Sequence, residues 1–169
     1  MSVADTSVSG NEPEETLDLG HAGRSGRNTA APRSPRRRAR EFAVQGIYQA
    51  LLSGHDATNV LSHLQQMEGY KRADAALLSV LVQGVLSGRS ALQAQIEPLL
   101  NNRNFAELAP VEAAVLLLGA YELVYMHETP RRVVLNECVE LTKTFGGTGG
   151  HRYVNGVLDK LSAKLRAEV

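Results

Sequence analysis

The sequence predicts an all-α fold of about six or seven helices. Three observations carry this. Apolar residues recur at spacings of three and four from Ser34 almost to the C-terminus. Helix-start signals punctuate the chain at Ser34-Pro35, Pro110 and Thr129-Pro130. The single stretch that reads as a hairpin, Tyr153 to Leu158, has very short strands and no partner strand nearby.

Ser34 is a good N-cap and Pro35 a good first helical residue, because the proline lacks only an N–H that the helix start leaves unpaired. Ala39, Ala43, Ile47, Ala50 and Leu51 then share a face, and Ser53-Gly54 stops the helix. Asp56 caps a short second helix running to about Met67. From Ala73 to about Leu100 the period continues through Leu77, Val80, Leu81, Val85, Leu92, Ile96 and Leu99, with Gly88 as a bend. Pro110 opens a helix that Leu116, Leu117 and Leu123 make apolar nearly all round, as expected of the central, most buried element. Thr129-Pro130, a cap and first-residue pair, introduces Val134, Cys138, Leu141 and Phe145. Gly146 to Gly150 breaks the chain. The last segment carries Val154, Val157, Leu158, Leu161 and Leu165. Asn155-Gly156 alone favours a tight hairpin turn, but the continued helical spacing favours a helix.

Residues 1–33 read as a disordered N-terminal extension and 34–169 as a single all-α domain. The extension is rich in Ser, Gly, Pro and Ala and buries too little apolar surface to offset its ordering entropy. Its first half is acidic and its second half basic. A secretory signal is not expected, since the first twenty residues carry acids and lack a long apolar run. The longest uncharged apolar run, Ala113 to Tyr121, is too short to span a bilayer, which needs about 20 residues. The single cysteine, Cys138, fits a core position in a chain of the reducing cytoplasm. Metal-ligand spacings, nucleophile elbows and nucleotide loops do not occur in the sequence, so neither a cofactor nor catalysis is expected.

Charge is informative only through its distribution. The chain has 18 basic and 18 acidic residues, yet seven arginines and no acid lie between Arg24 and Arg40. Arg36, Arg37, Arg38 and Arg40 stand at a helix start, where the macrodipole prefers anions, so stability does not explain them. Guanidiniums on a rigid element suit multiple phosphate contacts with release of counterions. Tyr48 follows on the same helix. Arg152-Tyr153 opens the last helix and offers a cation for phosphate beside a ring for a base. Either tyrosine also fits ordinary packing with its polar tip outward. The glycine loop at 146–150 reads as a helix cap with a connection, or as a phosphate-binding helix start. Glu122, Glu137 and Glu140 read as solvated or partner-binding charges. Glu112, on an otherwise apolar helix, is the acid best suited to a basic protein partner.

Taken in order, 36–48 (Arg-Arg-Arg-Ala-Arg-Glu-Phe-Ala-Val-Gln-Gly-Ile-Tyr), 111–123 (Val-Glu-Ala-Ala-Val-Leu-Leu-Leu-Gly-Ala-Tyr-Glu-Leu), 130–143 and 145–160 (Phe-Gly-Gly-Thr-Gly-Gly-His-Arg-Tyr-Val-Asn-Gly-Val-Leu-Asp-Lys) resemble the bacterial transcription antitermination factor family NusB. The resemblance covers 34–165. It implies two small packed helical bundles and a non-enzymatic function. That function is binding of the boxA segment of nascent, notably ribosomal, RNA as a single strand. Binding occurs together with a small-subunit ribosomal protein acting as NusE, within the elongating RNA polymerase complex. By position, the resemblance assigns Arg36, Arg37, Arg38, Arg40, Tyr48, Arg152 and Tyr153 to RNA and Glu112 to the ribosomal partner. The long extension and the all-Gly/Thr loop before His151 depart from the family pattern. Two other readings fit a helical chain. One is the RNA-binding domain of an rRNA methyltransferase, which the lack of a following α/β domain disfavours. The other is a protein–protein scaffold with incidental arginines. The apolar helices complete their burial either within one chain or in a homodimer.

Overall fold

The computed structural model describes residues 32–168, so the expected disordered extension lies, but for Pro32 and Arg33, outside the described residues. Among them are seven α-helices and no strand: α1 (Pro35–Ser53), α2 (Ala57–Gln65), α3 (Ala75–Ser87), α4 (Arg89–Ile96), α5 (Pro110–Tyr125), α6 (Arg131–Phe145) and α7 (Gly150–Ala167). Short 3-10 turns at Tyr70–Arg72, Glu97–Leu99 and Phe105–Glu107 join some of them.

Short polar side chains start three of the helices. Ser34 Oγ accepts from Arg37 N at 3.1 Å. Asp56 and Asp74 carboxylates do the same for Asn59 N and Leu77 N at 2.9 and 3.0 Å, each satisfying a donor the helix cannot. Gly54, at φ +75°, closes α1. The segment expected to bend at Gly88 does so, by 75° between α3 and the α4 stretch. α7 runs unbroken through Asn155-Gly156, which settles the hairpin alternative. The Thr129-Pro130 expectation needs correction. Pro130 itself takes the N-cap position of α6. The Thr129 hydroxyl is buried without a hydrogen-bond partner among the described residues.

α5 is the axis, as expected, with every residue from Ala113 to Ala120 buried. α1, α3, α6 and α7 all pack against it, with α2 against α1 and α3, α6 against both α7 and α1, and α4 against α5 and α7. Glycines set how closely these helices approach. A Cβ at Gly84 would lie 2.3 Å from the Tyr121 ring, and one at Gly119 would lie 2.7 Å from Leu158 Cδ1 and 2.9 Å from Cys138 Sγ. Cys138 is a core residue, and burial pushes its thiol pKa well up. The central stretch of α5 is thus covered within one chain, whereas Tyr125 at its end is exposed. No single helix among the described residues is long and apolar enough to cross a membrane.

Arg40 and Glu122 lie inside this packing, at 3% and 1% exposure. The guanidinium donates from Nη2 to Oε1 at 2.8 Å and from Nε to both carboxylate oxygens at 3.0 and 3.1 Å. Two sequence expectations are thereby corrected. Arg40 is not at the RNA edge, and Glu122 is not a solvated charge. Burial works against the charge on Arg40, but the Glu122 hydrogen bond and charge outweigh it, and the pKa is raised. Removing one partner strands the other as a buried charge. Arg40→Ala is therefore expected to lower the unfolding free energy by about 3–5 kcal/mol, read from urea denaturation. Arg36→Ala, at the surface, should stay within about 0.5 kcal/mol. Equal midpoints for the two variants would refute the buried-pair assignment.

Candidate nucleic-acid interface

The first turn of α1 holds Arg36, Arg37 and Arg38 and no acid. Its position is fixed from two sides: Ser34 caps it, and Pro35 O accepts from Asp74 N at 3.0 Å, tying it to the start of α3. The arginines then separate by the helical period. Arg40 turns inward. Arg37 donates from Nη2 and Nε to the two Glu137 oxygens of α6 at 2.8 and 3.1 Å, and this hydrogen bond raises its pKa. Glu137 is therefore an internal partner of the run, whereas Glu140 stays exposed beside Lys143. Arg36 is exposed and Arg38 half-buried, and neither forms an ion pair among the described residues. These two guanidiniums have fixed backbones and no bonded carboxylate among the described residues.

Tyr48 lies ten residues beyond Arg38, about 15 Å along the helix at 1.5 Å per residue. It is 37% exposed. Together with Val44, Gln45, Val111 and Phe145 it lines a groove of about 250 Å³. The walls are apolar apart from Gln45, which suits the face of an unpaired base.

The start of α7 lies at the same end of α5 as this groove. Gly149, at φ +83°, turns the chain into α7. A Cβ on Gly150 would lie 2.6 Å from Glu112 Oε1. Glu112 therefore sets its carboxylate against the helix start where a bound phosphate would sit, and the glycine loop serves as connection and cap. The half-buried Glu112 stands at the positive ends of both α5 and α7, a favourable place for an anion. Arg152 and Tyr153, expected as a cation and ring for one nucleotide, sit in different surroundings. Arg152 is exposed. Tyr153 is half-buried, donates its hydroxyl to Leu100 O at 3.3 Å and carries Arg103 over its ring at 4.9 Å. Sequence reasoning missed Arg103. Its one local signal was the preceding Asn101-Asn102, both at positive φ, where asparagine is tolerated.

With this geometry in view, residues 37–163 match the NusB family. The chain belongs to the NusB family. It is 51% identical over 138 residues to the transcription antitermination protein NusB of Ralstonia nicotianae (strain ATCC BAA-1114 / GMI1000), covering 82% of this chain and 88% of that one. It is 52% identical over 132 residues to its counterpart in Nitrosomonas europaea, covering 78% of each. The fold is similar to that of T. maritima NusB, with a TM-score of 0.69 at 23% identity over 82% of this chain and all of that one. It is also similar to a chain in a complex of the antitermination factors NusB and NusE with double-stranded RNA, with a TM-score of 0.68 at 21% identity, covering 77% and 97%. The all-α architecture expected from the periodicity is thus the NusB fold.

In this NusB-family chain, Gly150→Ala should force Glu112 aside or open the α5–α7 junction. A loss of about 1–3 kcal/mol in stability is expected. Glu112→Ala in the same chain should recover part of it, because the clashing atoms are gone. No recovery in thermal or urea melts would show that Glu112 is not what Gly150 accommodates.

Proposed function

We propose that this chain is a transcription antitermination factor that binds boxA-type single-stranded RNA together with the ribosomal protein NusE, joining the elongating RNA polymerase complex in the cytoplasm. The observation that carries the reading is its half-identity, over about four-fifths of its length, to proteins named transcription antitermination protein NusB. The work is recognition rather than catalysis. Arg36 and Arg38 supply phosphate contacts, and the Tyr48 groove receives a base. Arg152 adds a second cationic point at the start of α7. Arg37, held by Glu137, and Tyr153, held by Leu100 and Arg103, are the flanking members, each with one edge engaged internally. Glu112 belongs to the side that meets the ribosomal partner.

Titration of the full chain with boxA-type RNA across salt concentrations tests this. Each lost phosphate contact reduces the magnitude of the log–log salt slope by about 0.7 for a single strand. Arg36→Ala with Arg38→Ala should therefore flatten the slope by about 1.4, while Tyr48→Ala should weaken binding with the slope unchanged. If both arginines can be removed with affinity and slope intact, the RNA edge is elsewhere. Retained NusE binding without RNA binding would favour a scaffold instead.

A further inference from the structure

A second cationic groove flanks the first turns of α6. Arg131, Arg132, Asn136, Asn155, Asp159 and Arg166 line it, between α6 and α7, in a volume of about 410 Å³. Three guanidiniums face one carboxylate, with two side-chain amides between them. Arg131 is engaged within the fold, its Nη1 donating to Ser162 O of α7 at 2.9 Å. Arg166 lies in the last turn of α7, where the helix dipole already favours a cation. Arg132 has no such explanation. It sits in the first turn of α6, at the positive end of the dipole, with no acid in that turn and no ion pair among the described residues.

The groove adjoins the arginine edge. A neighbouring cavity is lined by Ser34 and Arg36 of the α1 start, by Glu128 and Pro130 just before α6, and by Val133 and Glu137 of α6. Arg36 and Arg132 thus stand on two sides of the same turns of one helix. A helix with its side chains is about 10–12 Å across, so a strand leaving Arg36 reaches Arg132 within a few nucleotides.

We infer that the α6–α7 groove carries a continuation of the RNA strand, lying beyond the segment held by the α1 arginines and Tyr48. Arg132 and Arg166 take its phosphates, and Asn136 and Asn155 offer donors and acceptors to sugar or base edges. Charge decides the occupant: a polyanion neutralises the excess of three guanidiniums over the one Asp159 carboxylate, whereas a second copy of this neutral groove-bearing chain or an apolar peptide would bury that excess unpaired. The inference rests on the RNA-binding reading above and adds a second, separable contact region.

The experiment uses the full chain and two RNAs, a short boxA-type oligonucleotide and the same sequence extended on both sides. Arg132→Ala with Arg166→Ala should reduce affinity for the extended RNA several-fold and flatten its salt slope by about 1.4, leaving the short RNA unaffected. Replacing both by lysine should restore the slope. Both residues are exposed, and unchanged melting confirms an intact fold. Unchanged binding of the extended RNA overturns the inference while leaving the RNA-binding reading in place, provided the wild type binds the short RNA. An equal loss on the short RNA overturns it as well, because the groove would then belong to the first contact region. If the wild type binds neither RNA, both readings fall. Loss of NusE binding with extended-RNA binding retained would reassign the groove to the protein partner.

Discussion

The orientation of the functional edge depends on the buried pair between Arg40 and Glu122. It joins α1 to α5 across 82 residues of sequence. Burying two charges costs several kcal/mol per ion, and their mutual attraction offsets this only with good geometry. Here both carboxylate oxygens accept from the guanidinium, through Nε and Nη2. A hydrophobic pair of equal volume would hold the helices about as well. What it would lack is direction. A planar fork meeting a carboxylate fixes the rotation of α1 about its own axis. Once Arg40 points inward, Arg37 is presented to Glu137 of α6, and Arg36 and Arg38 remain on the outer surface. The inward arginine thus determines which of its neighbours are free to bind.

The same rotation needs close helix approach, and glycine provides it where the core is tightest. Tyr121 lies flat on α3 because Gly84 has no Cβ, and α7 presses Leu158 onto α5 at Gly119. These contacts hold α5 among the helices packed around it. Its N-terminal turn then brings Glu112 to Gly150 and Val111 to the Tyr48 groove. Packing far from the surface therefore sets the width of the surface groove.

Much of this was legible in the sequence wherever the determining forces are local. Ser34-Pro35, Asp56 and Pro110 start helices through hydrogen bonds and φ preferences within one turn, and the apolar period of α5 announced its burial. The pairing of charges was not read, because Glu122 and Glu137 meet their arginines across 82 and 100 residues. A signal did exist for one of them. Arg40 precedes Ala43, Val44 and Ile47 at spacings of three, four and seven, so it lies on the buried face of α1. Glu122 likewise shares a face with Val115, Leu118 and Gly119 in the most apolar helix. Two opposite charges on two buried faces are a candidate pair. Tyr153 offered no comparable hint, since its partners Leu100 and Arg103 reach it through a loop whose path the periodicity does not encode.

The formal neutrality of the chain conceals a local imbalance. α1 and α6 lie side by side in the same direction, with Arg37 against Glu137 near their starts and Val44 and Tyr48 beside Phe145 near the end of α6. Parallel helices place two positive dipole ends together, each equivalent to roughly half an elementary charge. Neither first turn contains an acid, and together they hold five arginines. Glu137 is engaged with Arg37, and Glu122 is held in the core by Arg40. Glu128 lines the cavity beside Arg36, yet Arg36, Arg38 and Arg132 form no ion pair among the described residues. Within the chain Glu137 offsets Arg37 and the Ser162 carbonyl holds Arg131, which leaves three of the five arginines without a bonded side-chain partner among the described residues. An external polyanion offsets these three guanidiniums at once, and a strand of phosphates is such a counter-charge.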